Sequence, residues 1–191
     1  MIRDAASNEL FTILLVLGLV IIAAAKLLAP KRFSDFVFIV GDFKYLKIYS
    51  RDQKFFDKFD ALLFVNLILS VSVFCFIIYQ FLTEAKMLSV NFMYKLTFGI
   101  GLFTLIKVLI ERLIGSLFEI DKLVDAYLFQ KISYRNYLGF LLLPINALLI
   151  FNIKPSMPVF YIIIGLLLIV NIIGLATSFK THQSIIKHNF F

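Results

Sequence analysis

Residues Ala61 to Leu82 read ALLFVNLILSVSVFCFIIYQFL, a run without a single Asp, Glu, Lys or Arg. A bilayer has a hydrocarbon core about 30 Å thick and a helix rises about 1.5 Å per residue, so about 20 apolar residues cross it. This stretch has that length, and it is apolar on every side rather than along one stripe, as a helix with lipid for a solvent requires. Working outward, four more runs have similar length and are largely apolar: Leu10 to Ala29 before it, and Leu96 to Ile114, Tyr137 to Ile153 and Val159 to Phe179 after it. The expected fold is therefore all-α, a single integral membrane bundle over residues 1–191 with about five transmembrane helices.

Composition agrees. Hydrophobic residues make up 61% of the chain and the mean hydropathy is +0.96, more apolar surface than a soluble domain of this size can bury, since ordinary globular chains are nearer half apolar. The formal charge of +7 is carried between the hydrophobic runs and not on a polar domain, so it argues for membrane lipid as a partner and against nucleic acid. A single cysteine, Cys75, lies inside the second run and cannot form an internal disulfide or a cysteine metal cluster.

The first run is long for the core of a secretory signal, and it is followed rather than preceded by most of its flanking charge, Lys26, Lys31 and Arg32, which reads as a retained anchor. Loop charge orients the whole set. Lys26 at the end of the first run and Lys31, Arg32, Lys44, Lys47, Arg51, Lys54 and Lys58 after it precede the second, and Arg112 at the end of the third run is followed by Lys122, Lys131 and Arg135, whereas the opposite connections carry only Arg3, Lys86, Lys95 and Lys154. Cytoplasmic loops are enriched in Lys and Arg, so five alternating spans place the N-terminus outside and the C-terminus of the chain in the cytoplasm.

Two segments fit neither a span nor an ordinary loop. Residues 31–60 interleave Phe33, Phe36, Phe38, Phe43, Tyr45, Tyr49, Phe55, Phe56 and Phe59 with basic residues and are expected to lie on the membrane surface. Phe55, Phe56 and Phe59 share one helix face, with Lys54 and Lys58 elsewhere on the turn; an aromatic belt with snorkelling lysines is the plainer reading, a dedicated binding surface the alternative. Residues 115–136 mix apolar side chains with Glu119, Asp121, Lys122 and Asp125, as expected for a cytoplasmic re-entry or an amphipathic helix packed under the bundle.

Charged residues within a span cost about 2.5 to 3.5 kcal/mol each near its centre, so Lys107 and Glu111 in the third run need a reason. Their spacing of four puts both on one face, where they can form a mutual ion pair in a polar intramembrane site; the plainer account is that Lys107 snorkels and Glu111 already reaches the cytoplasmic interface. Asn66, Asn146 and Asn171 place one amide in each of three spans, either converging as a polar cluster or bonding helix to helix. Pro144 removes a backbone donor two residues before Asn146 and marks the expected kink. Gly99 and Gly101 follow no strand and precede no lysine-serine or lysine-threonine pair, so nucleotide binding is unsupported. His182 and His188, six apart, do not share a helix face as metal ligands would. No set of residues for catalysis, metal or cofactor is present in the pattern.

The runs Lys44-Tyr45-Leu46-Lys47-Ile48-Tyr49, Phe64-Val65-Asn66, Ile114-Gly115-Ser116-Leu117-Phe118-Glu119-Ile120, Tyr134-Arg135-Asn136-Tyr137 and Leu143-Pro144-Ile145-Asn146 carry a resemblance to an uncharacterised family of multi-spanning inner-membrane proteins of Bacteroidota, a domain of unknown function. The likeness covers most of the chain from about Lys31 onward. It implies a bacterial inner-membrane address and no activity. It also implies a further apolar span after Phe191, which would make six. The leading expectation for function is a non-catalytic subunit of an inner-membrane complex, in contact with other membrane-protein subunits. The alternative is a small transporter or lipid-handling protein whose polar cavity is lined by Lys107, Glu111, Asn66, Asn146 and Asn171.

Overall fold

The computed structural model describes the backbone of residues 5–41, 44–50, 57–83 and 90–190, and the side chains of these except 5–8, 90, 122–123 and 178–190. Among the described residues there are seven helices and no strand: α1 (Ala5–Leu28), α2 (Pro30–Val37), α3 (Lys44–Tyr49), α4 (Lys58–Thr83), α5 (Val90–Leu117), α6 (Asp121–Phe151) and α7 (Met157–Phe190). Four segments are long and apolar enough to cross a membrane, Glu9–Leu28, Lys58–Thr83, Val124–Phe151 and Met157–Thr177. Helix α5, which contains the expected third span, has the length, at 28 residues, and carries Lys95, Lys107, Glu111 and Arg112; it is not among the four.

Helices α4 and α6 form the centre and share the most extensive contact in the fold. Glycine makes this possible: a Cβ at Gly139 would lie 2.4 Å from the Leu67 Cα, so the two backbones approach as closely as they do only because position 139 has none. Gly139 faces Leu67 and Asn146 faces Ser70, so α4 and α6 run in the same direction. The other three long helices run against them. Phe11 meets Phe76 and Gly18 abuts Asn66 on α1; Phe92 meets Phe76 and Tyr79 while Glu111 meets Lys131 on α5; Phe160 meets Phe74 and Thr177 meets Tyr134 on α7. Direction thus alternates along the five long helices.

The expected fourth span, Tyr137 to Ile153, is the second half of a longer element. Of residues 115–136, expected as a re-entry or an amphipathic helix, 115–117 close α5 and 121–136 continue into the span as one 31-residue helix, α6, about 46 Å long at 1.5 Å per residue. Leu128, Phe129, Gln130, Ser133, Tyr134 and Asn136 are all buried there, and the charge that suggested a loop is met sideways by a carboxylate of α5. The α5 helix ends two turns from that carboxylate in a Schellman closure: the Ile120 N–H bonds the Gly115 carbonyl at 3.0 Å and the Glu119 N–H bonds the Ser116 carbonyl at 3.2 Å. Glu119 takes the left-handed conformation there, φ 57°, a position that favours glycine and that composition does not advertise. Pro144 sits inside α6, which runs through it without a break.

The aromatic segment after α1 also differs from a surface belt. Phe33, Phe36, Ile39, Tyr45 and Leu46 point into the protein, against Phe129, Tyr137 and Phe140 of α6, and among the described aromatic residues of the segment only Phe38 is largely exposed. Phe59, expected at the headgroup level, is 2% exposed and packs edge-on against Phe36. Lys58 beside it is exposed. Lys54, Phe55 and Phe56 lie outside the described residues.

Candidate functional site

Helices α5 and α7 flank α6 on its outer side, and between them lies a cleft of about 210 Å³ floored by α6. Lys107 reaches it from α5, Tyr127, Lys131, Tyr134 and Arg135 from α6, and Asn171, Gly174 and Leu175 from α7. The α6 contributors recur at three- and four-residue steps, which puts them on one face of that helix. Tyr134 is held by its hydroxyl, which donates to Thr177 Oγ1 at 3.3 Å, and by Gly174, where a Cβ would come within 2.8 Å of the ring. Lys131 Nζ donates to Glu111 Oε1 at 2.5 Å and lies 5.3 Å from the centre of the Tyr127 ring.

Lys107 and Glu111 therefore do not form the mutual pair their spacing suggests. Glu111 turns to Lys131 across the helix interface, and Lys107 is left to the cleft. Among the described residues neither Lys107 nor Arg135 has a hydrogen bond or an ion pair, and Arg135 is only half exposed. With Glu111 as the single carboxylate at its edge, the cleft holds three cations and an excess of two positive charges. Asn171 is exposed, its amide donating weakly to the Leu167 carbonyl of its own helix at 3.5 Å.

Asn66 and Asn146 lie elsewhere, in the central seam. Asn146 is fully buried and its Nδ2 donates to the Ser70 carbonyl of α4 at 2.8 Å. Asn66 is equally buried, against Gly18 of α1, but neither of its amide atoms has a partner. The two asparagines should respond oppositely to replacement. Asn146→Leu removes an interhelical bond and should lower stability by about 1 kcal/mol, whereas Asn66→Leu removes an unbonded buried amide and should be neutral or stabilising. Thermal unfolding of the two variants in one detergent decides it; equal losses would give Asn66 a polar partner.

A second polar cluster, which the sequence pattern did not single out, ties α2 and α3 to the start of α4. Arg32 pairs with Asp57 and, at 2.8 Å, with Asp60, and its guanidinium lies over the rings of Phe59 (4.7 Å), Tyr49 (5.1 Å) and Tyr45 (5.9 Å). Tyr49 donates to Asp35 at 3.2 Å. Burial opposes the Arg32 charge, but the fields of Tyr45 and Asp60 and the bond to Asp57 outweigh it and raise its pKa above the ordinary value. Burial first, and Asp60 second, push the Tyr45 phenol up as well. Both groups stay protonated at neutral pH, so this cluster is a fixed clasp and not a proton switch.

Among the described residues no three His, Cys, Asp or Glu side chains come together as metal ligands. The side chains of His182 and His188 are outside that description. A family model, "Domain of unknown function (DUF4271)", matches residues 11–191. The chain belongs to the DUF4271 family. No curated protein and no solved structure matches it. Membership of DUF4271 therefore carries no assigned activity to any of the residues above.

Proposed function

We propose that this DUF4271 protein is a non-catalytic subunit of a complex in the inner membrane of a bacterium of the Bacteroidota. It crosses the bilayer five times, through α1, α4, α5, α6 and α7, with its N-terminus outside and Phe191 on the cytoplasmic side. Support for α5 as a span comes from its place in the bundle: antiparallel to α4 and α6, it contacts Phe76 near one end and Val124 near the other. The basic residues of α2 and α3, Arg112 near the end of α5, and Lys122, Lys131 and Arg135 in the first half of α6 then share the cytoplasmic side.

The observation that carries the subunit reading is the dispersal of the intramembrane polar groups. A conduit needs them along one path, yet Asn66 and Asn146 serve the central seam while Lys107 and Asn171 line a side cleft. Around that seam α1, α5 and α7 present long apolar faces, among them Ile13, Leu19, Phe98, Phe103, Tyr161 and Ile172, suited to neighbouring helices as well as to lipid. Purification of the tagged full-length protein from its native membrane in mild detergent, with mass spectrometry of what remains bound, should return a stoichiometric membrane partner. Recovery only as a lone monomer under extraction that preserves other complexes would overturn the reading. The alternative, a small transporter or lipid-handling protein, draws its support from the cleft between α5 and α7, and Lys107→Leu would then abolish flux while leaving assembly intact.

A further inference from the structure

The cleft between α5, α6 and α7 combines features that point to a particular ligand class. Its excess of positive charge is only partly answered by the protein: the one carboxylate at its edge, Glu111, bonds Lys131 and reaches Arg135 through its field alone, and neither Lys107 nor Arg135 has a hydrogen bond or ion pair among the described residues. A half-buried guanidinium whose N–H groups bond no carboxylate is costly, and an oxyanion is its natural complement because the planar N–H fork matches two oxygens at once. Tyr127 and Asn171 add neutral polar groups at the same wall.

Depth selects the kind of anion. In the orientation proposed above the extracytoplasmic end of α6 is its last residue, Phe151, and about 30 Å of hydrocarbon measured from there ends about 20 residues earlier, near Lys131. Arg135 lies one turn inside that limit and Lys107 can reach it by extending its stem. The site thus sits where the phosphates of the cytoplasmic leaflet sit. One turn deeper the cleft's flanking helices carry Phe103 and Leu168, both exposed and apolar, at the level of the upper acyl chain.

We propose that this cleft is a binding site for the phosphate headgroup of an anionic phospholipid of the cytoplasmic leaflet, with Arg135 and Lys107 as its principal contacts and Lys131 held in place by Glu111. The site rests on the five-span orientation proposed above but not on the presence of a protein partner, and binding is read on isolated protein, so the two proposals fail separately. The test uses the full chain in nonionic detergent, titrated with phosphatidylglycerol, with phosphatidylcholine, or with sodium phosphate at matched ionic strength, and followed by native mass spectrometry and thermal unfolding.

Phosphatidylglycerol should bind as a discrete adduct and raise the unfolding midpoint, phosphatidylcholine much less and free phosphate not at all. Arg135→Gln or Lys107→Gln should weaken phosphatidylglycerol binding by about tenfold or more, and Lys154→Gln, remote from the cleft, should leave it unchanged. Lys107 is exposed, so its variant keeps the fold even if the Arg135 variant does not. Equal protection by phosphatidylcholine, equal protection by phosphate alone, or undiminished binding by Lys107→Gln would each overturn the proposal.

Discussion

Gly139→Ala is expected to disrupt the bundle more than any other single methyl addition. The new Cβ would stand 2.4 Å from Leu67 Cα, 2.9 Å from Leu67 Cβ and 3.0 Å from Leu67 N. These are atoms of a helix backbone, so no change of rotamer relieves the contact. Overpacking a core costs about 1 to 3 kcal/mol where side chains can yield, and here α4 and α6 themselves must separate, along with the Asn146 to Ser70 bond that lies on the same seam. A loss of at least about 3 kcal/mol follows, seen as a large drop in unfolding midpoint in detergent or as failure to accumulate.

The other glycines grade the effect and guard against a trivial explanation. At Gly18 the nearest atom is Leu143 Cδ1 at 2.5 Å, the end of a flexible side chain, so Gly18→Ala should be clearly milder. Gly99 and Gly165 have nothing within 4 Å, and alanine there should be neutral or slightly stabilising through its higher helix propensity. Equal behaviour of the Gly139 and Gly165 variants would mean that α4 and α6 are not in backbone contact.

The same geometry shows which parts of the fold were open to reading from sequence. Helix α4 was legible because 22 consecutive uncharged residues have the length and apolarity of a membrane-spanning helix, and the alternation of direction followed from counting five long, largely apolar runs. The first half of α6 was not. Lys131 and Arg135 look like loop charges until Glu111, 20 residues earlier on another helix, is seen to bond Lys131. The aromatic segment misled for a related reason: rings interleaved with basic residues suit a membrane surface, but Arg32 finds Asp57 and Asp60 25 and 28 residues later, and that closure turns Phe36, Tyr45 and Phe59 inward. Pairings at that range have no signature in local periodicity. A helical reading of Tyr127, Lys131, Tyr134 and Arg135 at steps of three and four was available in the sequence and would have put the cationic face on α6.

Arg32→Met is the second variant with a large expected effect, and its partners decide how it should be interpreted. The side chain of Arg32 is 11% exposed and that of Asp60 7%, while that of Asp57 is 37% exposed. Removing the guanidinium breaks its ion pair with the buried Asp60 carboxylate, and breaking a buried pair from one side costs about 3 to 5 kcal/mol; it also strips the cation from the rings of Phe59, Tyr49 and Tyr45. Asp60→Leu alone should cost less, since Arg32 keeps its pairing with Asp57. The double variant Arg32→Met with Asp60→Leu should recover most of the loss, because an apolar pair of similar volume suits a site lined by Phe36, Phe59 and Tyr45 and leaves only Asp57, which water can reach. Unfolding midpoints of the two single variants and the double, taken in one detergent and lipid mixture, give the coupling directly. Recovery in the double variant makes the cluster a clasp whose role is to hold α2 and α3 on the bundle; a double variant as unstable as Arg32→Met would show that the guanidinium is needed for more than neutralising Asp60, through its bond to Asp57 and its place over the three rings.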